Sequence, residues 1–417
     1  MHKRVLSILI VFTVLAGLFT GCKGESAKTD PDVVTLTLAL RDGIYADAIE
    51  ACLPEFEKEN NLHCEVQRLS EEDLHSKVVE DAVNTGGAYD LCMVDGSWMA
   101  EYTAKMLLLN LSEYGYELDE DIIPATTKVC YYGDDVYLTP YYGNVTVLLY
   151  NKDILERTGY SPDQLDNLDA IYEICYNSAT RGNLGFMYRG DSNNNYVVDF
   201  LPILLSCGGW VVDENNNPTV DTPEFKAAVE FYKQLTETGT AIPRDDLVQA
   251  IESGNAAMGI GWPGWYTPSE DSPVDYSAVT GKKSADSEAY NASVYGVWTV
   301  GIPANSQKPE LAVKLLKYLM DPEVQRSTVE KGGVPCRYSS LKDPKVLEKY
   351  PQYEAVCEAL ESGVYRPIMQ EWPEFYDILG KQMEKMLHNA ISVDAGCNEA
   401  QAELEKMLSY QAAIRRE

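Results

Sequence analysis

Basic residues are scarce in this chain. Lysine and arginine number 34 against 65 aspartates and glutamates, which leaves a formal net charge of −31. A surface of that sign repels nucleic-acid phosphates and anionic lipid, so neither is an expected partner. Histidine is scarcer still, at four residues, and none of the ten cysteines forms a CxxC pair. No zinc signature is present, and neither a metal ion nor a cofactor is expected. Past the first residues, no run approaches the ~20 apolar residues that a membrane-spanning helix needs. Common enzyme patterns are missing too: there is no nucleophile elbow, HExxH helix or P-loop. What is present is an ordinary globular composition, 45% hydrophobic and 24% charged, in 417 residues. That length is enough for two or three domains with real cores.

The N-terminus points to export. Lys3 and Arg4 precede an almost wholly apolar stretch, Val5 to Leu18, and Gly21-Cys22 follows. A basic start, a short apolar run and small residues make a secretory signal. Leu18-Phe19-Thr20-Gly21-Cys22 resembles the bacterial lipobox, with Phe19 where Leu is usual. That resemblance implies that Cys22 is diacylated and holds the chain on the outer face of the cell membrane. Residues 1–22 are then the signal, and 23–32 a flexible tether. Nine cysteines follow Cys22, an odd number that rules out complete internal pairing. Most lie in apolar contexts and read as small core residues, with Cys52 and Cys64 the one nearby pair.

From residue 33 the pattern alternates. Val33–Leu40, Leu62–Leu69 and Tyr89–Val94 read as strands, while Tyr45–Asn60 and Glu71–Asn84 read as helices. This order predicts an α/β fold with a mostly parallel sheet flanked by helices. Ligands of such sheets meet the loops at the carboxyl ends of the strands. Arg41, Asp42, Asp95 and Trp98 lie on those loops. Their competing role is helix capping or simple solvation. Gly133-Asp134 reads as a hairpin turn, and Val145–Tyr150 as a further strand. Asp321-Pro322 reads as the cap and first residue of a helix. Residues 373–408 read as one helical stretch with Met383 and Met386 on its core face. Asp191 to Asp199 alternates oxygen side chains like the front of a calcium loop. Tyr196 replaces the needed Gly and Pro202 the needed Glu, so a polar loop before a helix is the better reading.

One stretch carries the strongest ligand signal. Met258–Gly261 reads as a short buried strand, and Trp262, Trp265 and Tyr266 gather around Pro263 and Gly264. Pro and Gly interrupt regular pairing, so these aromatics suit a loop that presents flat apolar faces. A sugar ring needs such a face for its C–H side and polar neighbours for its hydroxyls.

Several motifs then agree with one family. Leu138-Thr-Pro-Tyr-Tyr-Gly-Asn with Leu148-Leu-Tyr-Asn-Lys-Asp-Ile-Leu, Gly254-Asn-Ala-Ala-Met-Gly-Ile-Gly-Trp262, and Val300-Gly-Ile-Pro through Asp321-Pro-Glu-Val-Gln325 resemble the extracellular solute-binding proteins of family 1. These are the maltose-binding-like sugar receptors of ABC importers, and the resemblance covers nearly all of the mature chain. It implies a two-lobed, type II periplasmic-binding-protein-like fold with three crossings between lobes. One lobe would comprise 33–143 and 299–333, the other 144–298 and 334–417, with Gly143, Gly296 and Gly333 near the crossings. It further implies a non-enzymatic, monomeric receptor that takes a carbohydrate, expected to be an oligosaccharide, and delivers it to an ABC permease. Trp262 and Trp265 would stack on the sugar, with Tyr141, Trp298 and Trp372 as further candidates. Arg41, Asp42 and Asp95 would bond its hydroxyls. Lobe packing is the competing role for Trp298 and Trp372. Two alternatives stay open: a receptor for a non-sugar solute such as a peptide, polyamine or iron, and a secreted glycoside hydrolase.

Overall fold

The computed structural model describes residues 33–414 except 85, 267, 269–270 and 282–289. Cys22, the lipobox and the tether therefore lie outside the described residues.

β1 (Val34–Arg41), β2 (Leu62–Leu69), β3 (Leu91–Asp95) and β4 (Leu138–Tyr142) begin the first sheet. β1 is parallel to β2 and β3, as the alternating pattern predicts. Helices α1 (Ile44–Glu50), α2 (Leu53–Asn60) and α3 (Glu71–Val83) make the connections. The single helix expected over 45–60 is broken at Ala51-Cys52. It restarts with Pro54 in the first turn of α2, where a missing N–H loses no intrahelical bond.

β5 (Val147–Asn151), β6 (Leu184–Tyr188), β7 (Thr240–Ala241), β8 (Ala256–Gly261) and β9 (Val274–Ala278) form the second sheet, in the order β9-β5-β8-β6-β7. α4 (Asn193–Ser206) and α5 (Arg244–Glu252) belong to this lobe. β10 (Trp298–Gly301) then returns to the first sheet, antiparallel between β3 and β4. α6 (Pro309–Leu319) packs Leu315, Leu316 and Leu319 into the first core, each fully buried leucine contributing about 1.5–3 kcal/mol. α7 (Pro322–Thr328) is capped by Asp321, which accepts from the Glu323 N–H at 2.8 Å. α8 (Trp372–Leu387) and α9 (Val393–Ile414) complete the second lobe. The sequence pattern makes them one helix. Asn389, at φ 58°, marks the break between them.

Each lobe has its own core, around Leu38, Phe56 and Leu316 in the first and Phe200, Phe225 and Met383 in the second. The nine described cysteines are free, and Cys52 and Cys64 are both buried.

Three segments cross between the lobes side by side. The Thr146 N–H donates to Val294 O at 2.9 Å and the Gly296 N–H to Asn144 O at 2.8 Å. Val294-Tyr295 in turn pairs in parallel with Val364-Tyr365. Two boundaries differ from the expected division. Trp298 already pairs with Asp95 in the first sheet. Residues 334–341 stay with the first lobe, because Arg337 has a side chain only 1% exposed and must find carboxylates there. It reaches Asp119 at 2.6 Å and Asp121 at 3.0 Å, while the Ile123 N–H donates to Cys336 O at 2.9 Å. The third crossing thus falls at Val364–Arg366 and not at 334.

Candidate functional site

A cavity of about 590 Å³ opens between the two lobes. The carboxyl ends of β1, β3, β6 and β8 deliver residues to it, as doubly wound sheets dictate. Gly43, at φ 87°, turns the chain from β1 into α1 at its rim. A Cβ there would meet nothing within 4 Å, so backbone conformation, not space, calls for glycine.

Aromatic rings make much of the wall. Trp262 and Trp265 follow β8 in a tight turn that the Trp265 N–H closes by donating to Trp262 O at 2.9 Å. The Trp262 indole packs over Gly296, where a Cβ would stand 2.8 Å from its Cζ3. Trp262 is 6% exposed and Trp298 3%, so both offer the cavity only a margin of the ring. Trp265 is half-buried, with the Arg189 guanidinium 4.8 Å from its ring centre. Tyr45 leans on Tyr142 at 4.7 Å and on Trp298 at 5.6 Å, and Trp98 supports Trp298 from behind at 5.5 Å.

The charged groups are unevenly satisfied. Asp95 accepts from Arg366 Nη2 at 2.7 and 2.8 Å, and from the Ser97 N–H and Oγ. Asp42 takes a bond from Arg68 at 3.4 Å, and the Gly43 N–H together with Arg68 holds its carboxyl below the usual range. Arg189 is fastened to Asp199 through Nε at 3.1 Å and through Nη2. Glu71 has no hydrogen-bond or ion-pair partner among the described residues; desolvation raises its carboxyl, and the Asp95 charge adds to this. Burial likewise pushes the Tyr45 hydroxyl up to about 12. The side-chain oxygens of Asn144 and Asn194 are buried at the cavity without a partner among the described residues.

Six of the residues singled out in the sequence meet here: Arg41, Asp42, Asp95, Trp262, Trp265 and Trp298. Two do not. Tyr141 is 3% exposed and packs in the first core, because β4 alternates its side chains and Tyr142 takes the face toward Tyr45. Trp372 is 1% exposed, stacks on Phe375 at 5.4 Å in the second core, and touches only a recess of about 50 Å³ beside the cavity. Arg189, Arg244, Arg366, Glu71 and Asn194 went unread. The strand-end rule could have flagged Arg189, which follows β6 directly. Nothing local marks Arg366, which the third crossing carries in from far along the chain.

Two α/β lobes joined by three crossings around a polar, tryptophan-walled cleft define a two-lobed, type II periplasmic-binding-protein fold. The sequence model of the bacterial extracellular solute-binding proteins matches residues 41–326, and the chain belongs to that family. Solved structures of similar fold include the maltose-bound MalE3 of T. maritima, 23% identical with a TM-score of 0.75 over 90% of this chain and 100% of that one. A solute-binding protein from Agrobacterium radiobacter in complex with ribitol is 24% identical, with a TM-score of 0.77 over 90% and 98%. In sequence, a probable amino-acid ABC transporter periplasmic-binding protein of Sinorhizobium fredii is 23% identical over 79% of each chain.

Proposed function

We propose that this chain is the lipid-anchored, monomeric substrate-binding component of an ABC importer, that it binds a carbohydrate between its lobes, and that it passes the sugar unaltered to the permease. The observation that carries this reading is the cavity wall, where Trp262, Trp265 and Trp298 from both lobes surround polar groups. Indole faces suit the C–H side of a sugar ring, and amides and arginines suit its hydroxyls. Structures of this fold with maltose and with ribitol bound support a saccharide or polyol. A cavity of about 590 Å³ favours a short saccharide over a long one. A ligand that touches both lobes binds the closed form better than the open one, so binding drives closure.

Hydrolysis is disfavoured by the state of the carboxylates. It needs two carboxyl groups facing one bond. Arg366 engages Asp95 and Arg68 engages Asp42, which leaves Glu71 alone. A non-sugar solute is the second reading, and the unpaired charges of both signs, Arg41 and Glu71, favour it. Intrinsic tryptophan fluorescence during a sugar titration tests the proposal, with chromatography of the ligand afterwards. A saturable shift with the sugar recovered intact is expected. Released product would establish the hydrolase, and a response to amino acids or polyamines alone would establish the second reading.

A further inference from the structure

The cavity differs in charge from the chain around it. The whole chain carries −31, yet four arginines reach this cavity against three acids. Arg189 is spent on Asp199. Arg366 is spent only in part: Nη2 serves Asp95, while Nε is buried with no partner among the described residues, in a residue 9% exposed. A buried N–H left without an acceptor is destabilising, and a ligand oxygen would recover that loss. Arg41, from the first lobe, has no hydrogen-bond partner among the described residues and only leans over Tyr45 at 5.9 Å. Arg244, from the second lobe, opens α5 and among the described residues pairs with its exposed neighbour Asp245, at 2.7 Å. Both line the cavity, one from each lobe. The first turn of α4 contributes Asn194 and Asn195 to the lining, and a helix N-terminus favours negative charge.

We infer, on the carbohydrate reading above, that the ligand is an acidic saccharide, one or two sugar units bearing an anionic oxygen group such as a carboxylate, which Arg41 and Arg366 Nε receive and on which Arg244 closes from the other lobe. The ring then lies against the tryptophans, and its hydroxyls reach the unpartnered amides of Asn144 and Asn194. The charges of Arg366, Arg41 and Arg189 also act on Glu71 and offset its repulsion of an anion. Arg41 and Arg244 carry like charge on opposite lobes, and an anion held between them attracts both. Closure thereby becomes conditional on the charge of the ligand. Carboxylate and phosphate or sulfate esters share this chemistry, since a guanidinium fork fits each.

Calorimetric titration of the full chain with matched pairs tests the inference: galactose against galacturonate, glucose against glucuronate, and digalacturonate, with glucose 6-phosphate and a sulfated galactose to separate the sources of charge. Glutamate and spermidine complete the panel. An acidic member is expected to bind at least about tenfold tighter than its neutral partner (~1.4 kcal/mol), with an advantage that shrinks as salt rises. Arg41→Gln and Arg244→Gln should each erode that ratio at least about fivefold while thermal unfolding shows both variants folded. Equal or tighter binding of the neutral partner, or a ratio unmoved by both substitutions, overturns the inference and leaves the carbohydrate reading standing. Binding of glutamate or spermidine with no sugar bound overturns both.

Discussion

Trp262 has two roles that the sequence does not separate. Between Pro and other aromatics it reads as a loop residue that presents its ring to a ligand. The structure adds that it is 6% exposed and roofs Gly296 at the crossing. Trp262→Ala should therefore lose sugar binding and also about 3–5 kcal/mol of stability by denaturant unfolding. Trp265, half-buried between Gly261 and the Arg189 guanidinium, should lose binding with a smaller stability change. Equal stability losses for the two would contradict this division. A second residue, Glu101, carries a pH dependence. His75 bonds it at 2.6 Å, and Lys105 adds a second contact, which together lower its carboxyl from 4.5 to about 2. A folded-state value below the unfolded one stabilises the fold fully above about pH 4.5 and less as pH falls toward 2. Glu101→Gln should thus cost on the order of 1–2 kcal/mol at pH 7 and almost nothing near pH 2, read from urea midpoints across that window.

At the scale of elements, strands and helix starts were legible because their signals are local. β2 falls at Leu62–Leu69 as its residues predict, and Asp321 caps α7 as Asp before Pro should. Breaks inside long apolar patterns were not legible. The gap after α8 depends on Asn389 taking a left-handed conformation that other residues also could have supplied. Of the three glycines expected near crossings, Gly143 and Gly296 lie beside one and Gly333 does not. Neither Gly143 nor Gly296 has positive φ; each is small because a Cβ would stand 2.7 Å from Leu360 Cδ1 or 2.8 Å from Trp262 Cζ3. Gly296→Ala should push the Trp262 ring off its seat, weaken sugar binding at least about tenfold and cost about 1–3 kcal/mol by thermal unfolding. Arg337 shows what pattern reading misses altogether. Its carboxylate partners are more than two hundred residues away in sequence. Arg337→Ala removes its bonds to Asp119, Asp121 and Met320 O and should cost about 1–3 kcal/mol, measured by denaturant unfolding.

For the molecule as a whole, the site belongs to neither lobe. Arg41, Asp95 and Trp298 come from one, Trp262, Trp265 and Arg244 from the other, and Arg366 from the last crossing. Sequence reading found the residues at strand ends, since the parallel-sheet rule tells where such ends meet ligands. It sent Tyr141 and Trp372 to the cleft as well, because one-residue alternation on β4 and the burial of the first turn of α8 depend on packing that no local pattern encodes. Closure around a shared ligand is the property that this division of the site implies. Small-angle scattering should show a smaller radius of gyration with the bound sugar than without it.

The most direct test of the central claim is calorimetric titration of the chain with neutral and acidic mono- and disaccharides. One sugar should bind at a single site per chain with a negative heat-capacity change, and binding should vanish in a chain carrying both Trp262→Ala and Trp265→Ala that still unfolds cooperatively. Absence of heat with every saccharide, or undiminished binding in the doubly substituted chain, would contradict it.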